Sequence, residues 1–296
     1  MELVVTLMAA EGLSQGAVAA ARDALREAGG EPGAPVPVDG EVAVAIAVSG
    51  LGQGEARAAV EAVTDGFDTV VQSVAGRRVK RLLVADMDST IIGQECIDEL
   101  ADFAGKKAEI SAITERAMLG ELDFSAALQA RVMALAGLDA AAIGRTLSER
   151  VRLNPGARTL IATMKAHGCR TVLVSGGFTA FSADVAARAG FERHVANVLD
   201  VKDGRLTGAV AEPIVDSATK RQVLESERAG LGLAASDTLA VGDGANDIPM
   251  LEAAGLGIAY HAKPRAAAAA DAAIRHGDLT AILWAQGIAR ARWAEA

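Results

Sequence analysis

A chain of 296 residues, 51% hydrophobic and 23% charged, has room for about two domains and is too apolar to be disordered as a whole. Its net charge of −9 speaks against a nucleic-acid partner, whose phosphates need clustered Lys and Arg, but not against a small anion in a locally positive pocket. Cys96 and Cys169 lack CxxC spacing, the start MELVVTLMAAEGLSQG lacks a basic segment, and no long apolar run is free of charge. These features predict a cytoplasmic chain with free thiols and no membrane partner.

In chain order, residues 3–8 (LVVTLM) read as a strand and 14–28 as an amphipathic helix with Ser14 at its N-cap. GGEPGAPVP follows as a loop or short irregular edge strand, then 41–48 as a strand, 53–65 as a helix and 68–74 as a strand. This β-α-(β)-β-α-β order predicts a ferredoxin-like α+β module over residues 1–75. In pattern alone it resembles the ACT family of small amino-acid-sensing domains, which implies serine or another amino acid as effector. A structural or dimerising unit fits the same pattern and leaves a homodimer open.

GRRVKR at 76–81 reads as a basic, solvated linker and opens a second domain, 76–296. Short continuous apolar runs follow: LLVAD, TVLVS (171–175), TLAVGD (238–243) and LGIAY (256–260). Alternating with helices, they predict a Rossmann-like open parallel α/β sheet of undetermined strand order. Residues 155–167 read as a helix with Asn154 as cap and Pro155 in the first turn. The stretch 97–153 is too long for a simple crossover and predicts a helical cap over the strand ends. Asp203-Gly204 within VLDVKDGRLTGAV (198–210) signals a β-hairpin, and AAAAADAA (266–273) reads as an Ala-rich helix.

Ligands of open α/β sheets bind outside the carboxyl ends of the strands. Polar groups fall there in four places: Asp86 and Asp88, Ser175-Gly176-Gly177, Lys220, and Asp243 with Asn246 and Asp247. Taken singly, a strand-end Asp or Ser is a helix cap and Lys220 an exposed helix lysine. His167, His194, His261 and His276 share no metal-ligand spacing, and neither GxxxxGK[ST] nor GxGxxG occurs.

Together, DMDST, VSGG, the lone lysine and GDGAND resemble the four motifs of the haloacid-dehalogenase-like phosphatases, over about residues 80–285. Glu95 and the stretch AMLGELDFSAALQARV (117–132) are similar to the branch of that superfamily acting on O-phosphoserine, the last step of serine synthesis. The resemblance implies Asp86 as nucleophile, Asp88 as acid and base, and Lys220 as a positive charge on the transferring group. It implies Mg²⁺ at the Asp86 carboxylate, the Asp88 backbone carbonyl and the Asp243 carboxylate, a hard-oxygen set suited to that ion, with Asp247 either a further ligand or orienting the ion's surroundings. Ser175 and the Gly176 amide would hold phosphoryl oxygens, with Asn246 beside them. Glu95 would meet the substrate ammonium and Arg131 its carboxylate, while Met118 and Phe124 exclude water. Without the resemblance, Arg131 is a surface residue and Phe124 a core one. A phosphatase or phosphotransferase for another metabolite, and a regulatory protein with an inert phosphatase half, are the alternatives. The second should have lost Asp86, Asp88 or Lys220, and all three are present.

Overall fold

Residues 2–63, 65–119 and 121–295 are described by the computed structural model, with only the backbone of Met118. Apolar and β-branched residues bury β1 (Leu3–Met8) along its whole length. Ser14 caps α1 (Gln15–Glu27), its Oγ accepting from the Ala17 amide at 3.0 Å. The Gly- and Pro-rich stretch makes two short strands, β2 (Glu31–Pro32) and β3 (Val36–Asp39), both paired with β4 (Ala43–Ser49). Helix α2 (Gln53–Glu61) stops short of residue 65, and Gly66 at φ +78° turns the chain into β5 (Asp68–Ser73). Strand β1 lies between β4 and β5, antiparallel to both, in the ferredoxin-like order. Leu3, Val5, Leu7, Leu25, Ile46 and Val60 close a core of their own.

The second sheet begins with β6 (Leu82–Ala85) and continues after the cap helices α3 (Cys96–Asp102), α4 (Lys107–Met118), α5 (Phe124–Ala134) and α6 (Ala141–Glu149). Then come α7 (Ala157–Ala166), β7 (Arg170–Phe178), α8 (Thr179–Ala189) and β8 (Arg193–Asn197). The hairpin β9 (Leu199–Lys202) and β10 (Arg205–Val210) turns at Asp203 and Gly204, φ +51° and +74°, as a tight two-residue turn requires. It is hydrogen-bonded to the cap through Gly137 N to Leu206 O at 2.8 Å. The rest is α9 (Ser217–Gly230), β11 (Thr238–Gly242), α10 (Ile248–Ala253), β12 (Gly257–Tyr260), α11 (Pro264–Ala269), β13 (Ala272–Ile274) and α12 (Ala281–Ala285).

The order β13-β12-β11-β6-β7-β8 is parallel throughout. Leu82 and Val84 pack on one face with Val223 and Met250, whereas Leu83 and Ala85 pack on the other with Leu160 and Phe181. Burial on both faces explains why these strands read as continuous apolar runs. Chain order reverses between β6 and β11, and a crevice for ligands opens at such a point.

Three expectations change. The Ala-rich tract is helical only to Ala269: Asp271 accepts from Gly257 N at 2.8 Å, and Ala272–Ile274 becomes β13 beside β12. Asn154 does not cap α7, whose N-cap is Gly156 at φ +79°. Its side-chain amide instead donates to Thr90 O at 2.8 Å, tying down the loop after β6. The basic stretch 76–81 is not simply solvated, because Lys80 is fully buried and donates to Gly76 O and Ser236 O at 2.8 and 2.9 Å. Burial, then Arg78, pulls its pKa down to about 8.

The antiparallel strands join the parallel ones at Thr69 and Ala273, giving one sheet of eleven strands. Asp68 of β5 is buried and accepts from the amides of Arg275 (2.6 Å), His276 (3.1 Å) and Gly277 (2.7 Å). Arg57 of α2 donates to the carbonyls of Ala267 and Ala270, and Trp284 Nε1 to Asp39. Among the described residues, no helix is long and apolar enough to cross a membrane.

Candidate active site

Parallel strands β6 and β11 end side by side, so Asp86 and Asp243, the next residue after each, meet at the point of reversal. Lys220 enters from α9, whose first turn is fixed by Asp216 accepting from Thr219 N at 2.8 Å. The lysine is wholly buried, not an exposed helix residue, and its Nζ lies 2.8 Å from Asp86 Oδ1 and 2.7 Å from Asp247 Oδ1. The other Asp247 oxygen accepts from the amides of Asp243 and Gly244 at 3.1 and 3.0 Å, closing the turn after β11. Thr90 Oγ1 donates to Asp243 Oδ1 at 2.8 Å.

Asp86, Asp243 and Asp247 bring one oxygen each within 4.8 Å of one another, all buried. Three carboxylates thus face one ammonium. Burial and then Asp247 hold Asp86 well above the usual carboxylate range, and the same two causes push Asp243 up to about 7. Burial alone would pull Lys220 down, but Asp247 and Asp86 outweigh it and leave its pKa raised. A hard all-oxygen donor set in need of positive charge fits a divalent cation such as Mg²⁺.

Asp88, two residues beyond Asp86, lines the same cavity as Asp86. Its Oδ1 accepts from Cys96 N at 2.9 Å and its Oδ2 from Ser175 Oγ at 3.2 Å. Ser175 Oγ in turn accepts from Gly177 N at 2.8 Å. A Cβ at position 177 would sit 2.8 Å from Asp88 Oδ2, so the approach requires glycine. Burial raises the Asp88 pKa, against the lowering effect of the bonds from Cys96 and Ser175. Such a carboxyl holds a proton more readily than a solvated one and can both give and take it.

The cap supplies the facing wall. Asp86, Asp88, Glu95, Phe124, Arg131, Ser175, Gly176 and Asn246 line one cavity, together with Thr114 and Gly177. Ser89, at φ +54°, donates from Oγ to Glu95 Oε1 at 2.6 Å. Burial, then Asp88 and Asp243, hold the Glu95 pKa well above its ordinary value. Arg131 is 6% exposed, not a surface residue, and burial lowers its pKa against the pull of Glu95 and Asp98. Phe124, the first residue of α5, sits over Gly176, where a Cβ would come within 2.5 Å of its ring. Lys263 Nζ donates to both Glu115 oxygens at 2.8 Å, which holds α4 of the cap against the loop after β12. The side chain of Met118 lies outside the described residues.

Sequence reasoning missed Thr90, Cys96, Asp98, Thr114 and Asn197, and it named Gly177 at a strand end without giving it a role. Thr90 and Gly177 stand inside quoted motifs, which was signal enough. Asn197, the last residue of β8, donates to Gly176 O at 2.8 Å from a strand that sequence reasoning did not pick out. Asp98 and Thr114 sit at ordinary helix positions and gave no signal.

Comparison with known proteins bears on this geometry. The family described as haloacid dehalogenase-like hydrolase matches residues 83–252. A phosphoserine phosphatase of Streptomyces coelicolor is 46% identical over 233 residues, 78% of this chain but only 57% of that protein, little more than half its length. One from Albidiferax ferrireducens is 44% identical over 208 residues, 69% of this chain and 88% of the relative. Among solved structures, a phospho-aspartyl intermediate analogue of phosphoserine phosphatase superposes with a TM-score of 0.67 at 39% identity, covering 70% of this chain and 98% of the other.

Proposed function

The chain belongs to the haloacid dehalogenase-like hydrolase family, and from that premise we propose that it hydrolyses O-phosphoserine to serine and phosphate. The observation that carries the reading is the buried Lys220 bridging Asp86 and Asp247, with Asp86, Asp88 and Ser175 lining one cavity. Relatives at 44% and 46% identity named for this activity support it, as does the likeness to a phospho-aspartyl analogue.

In this scheme a carboxylate oxygen of Asp86 attacks phosphorus and the bond to the serine oxygen breaks. Asp88 gives its proton to the departing alkoxide, and serine leaves an aspartyl-phosphate behind. Asp88, now ionised, takes a proton from water, whose oxygen displaces Asp86 and releases phosphate. Lys220 lowers the repulsion between the entering carboxylate and the phosphoryl oxygens. Ser175 and the Gly176 amide hold those oxygens, with Asn246 beside them. The Asp86 carboxylate, the Asp88 carbonyl, Asp243 and Asp247 would hold Mg²⁺, which supplies positive charge to the phosphoryl group. Glu95 receives the ammonium of the substrate and Arg131 its carboxylate, a planar fork matched to a planar anion. Phe124 closes the cavity to water.

The test is phosphate release from a panel of phosphorylated metabolites with Mg²⁺ and with chelator. O-phosphoserine should dominate and chelator should stop the reaction. Equal release from sugar phosphates, or release indifferent to chelation, removes the proposal. The N-terminal module we read as an ACT-like regulatory unit for serine or another amino acid. Its support is the cleft between α1 and the strands β3 and β4, where Arg22 Nε is buried without a hydrogen-bond partner among the described residues.

A further inference from the structure

We propose that Thr114 and Asp98 are positioning residues for Arg131, and through it decide which phosphate esters the cavity accepts. The inference rests on the reading of Arg131 as partner of the substrate carboxylate. A guanidinium on a long side chain recognises a carboxylate well only if its plane is fixed before the substrate arrives. Two contacts fix it here. Arg131 Nε donates to Ala127 O at 3.1 Å, one turn back on α5, and Nη1 donates to Thr114 Oγ1 at 3.1 Å from α4.

A threonine hydroxyl has one hydrogen to give. Thr114 Oγ1 lies 2.7 Å from Asp98 Oδ1 and 3.1 Å from Ile110 O, and the shorter, charge-assisted bond takes the hydrogen. The lone pairs of Oγ1 then face Arg131. The relay Asp98–Thr114–Arg131 is buried from end to end, with Thr114 3% and Asp98 9% exposed. It joins three cap helices, and Asp98 stands in the first turn of α3, whose N-cap is Glu95. The spacing between the ammonium partner and the carboxylate partner is thereby set within one hydrogen-bonded unit. Neither hydrogen bond of the relay involves Asp86, Lys220 or Asp243, so the relay acts on substrate choice and not on phosphoryl chemistry.

The experiment compares the unaltered 296-residue chain with Thr114→Val, Thr114→Ser, Asp98→Asn and Arg131→Ala in saturating Mg²⁺. The substrates are O-phosphoserine and p-nitrophenyl phosphate, which lacks the amino-acid carboxylate. Valine keeps the shape of threonine and removes the hydroxyl. The expected result is a KM for phosphoserine raised about tenfold in Thr114→Val, the loss of one hydrogen bond to a charged group, with kcat and the KM for p-nitrophenyl phosphate within about twofold of wild type. Thr114→Ser should behave as wild type, since it restores the oxygen. Asp98→Asn should shift phosphoserine alone in the same direction, and it carries the test if the valine variant does not fold. Equal shifts on both substrates mark a merely structural role and overturn the inference, as does no shift at all, when Arg131→Ala discriminates between them. An Arg131→Ala variant that loses both substrates equally overturns the substrate reading instead.

Discussion

The two walls of the cavity stand on different foundations. Asp86 and Asp243 follow adjacent parallel strands buried on both faces, so backbone register alone brings them together. Glu95, Arg131 and Phe124 stand on short cap helices, where side-chain hydrogen bonds such as those through Ser89 and Thr114 set the geometry. The difference fits the division of labour. On the proposed function, the sheet wall would meet what all phosphate monoesters share, a crowded negative charge, and needs rigidity. The helical wall would meet what distinguishes one ester from another, and side chains on helices can be exchanged without disturbing the sheet.

Asp86→Asn cuts deepest into this contrast. Turnover should fall by at least ~10⁴-fold on phosphoserine and on p-nitrophenyl phosphate alike, as for removal of a nucleophile. Stability should not fall, because the substitution takes one anion out of a buried cluster of three. Stopped turnover with an unaltered thermal melt is the expected outcome. Residual activity near wild type, or a large difference between the two substrates, breaks the division between the walls. Asp243→Asn should follow with a loss of about 10²-fold or more in kcat/KM on both substrates. Mg²⁺ should raise the melting temperature of the wild type and leave that of this variant where it is, whatever the ester present. A variant that keeps its Mg²⁺-dependent melt removes Asp243 from the cation site.

The contrast also explains what could be read from the sequence. Strand-end motifs are contiguous, so DMDST and GDGAND betray Asp86, Asp88, Asp243 and Asp247 without any knowledge of the fold. Glu95 and Arg131 were reached only through a resemblance in the cap. Thr114 and Asp98 escaped because a relay between three helices leaves no local pattern in any one of them. The hairpin at 198–210 was legible from Asp203-Gly204, because a turn with two positive φ angles restricts its residues. Strand β13 was not: alanine favours helix, and only pairing with β12 and the Asp271 contact override that preference. With β13 unseen, the joining of the two sheets at Thr69 and Ala273 was out of reach.

That joint offers the mildest of these perturbations. Asp68 collects three backbone amides of the loop 275–277, and that loop lines a cleft shared with Ser89 and Gly93 of the turn after β6. Asp68→Asn keeps the shape but turns one acceptor into a donor, leaving at least one buried amide unpaired. The cost should be about 1–3 kcal/mol in denaturant unfolding. Without serine, kcat and KM should stay within about twofold of wild type, because neither wall of the cavity rests on this contact. If serine acts from the N-terminal module, its signal must cross the boundary that Asp68 helps to close, and inhibition by serine should weaken in the variant. Inhibition that persists unaltered while the unfolding midpoint drops puts the effector in the active site, competing with substrate at Glu95 and Arg131. The cap variants then become the place to look for it, since Arg131→Ala would relieve such inhibition and Asp68→Asn would not.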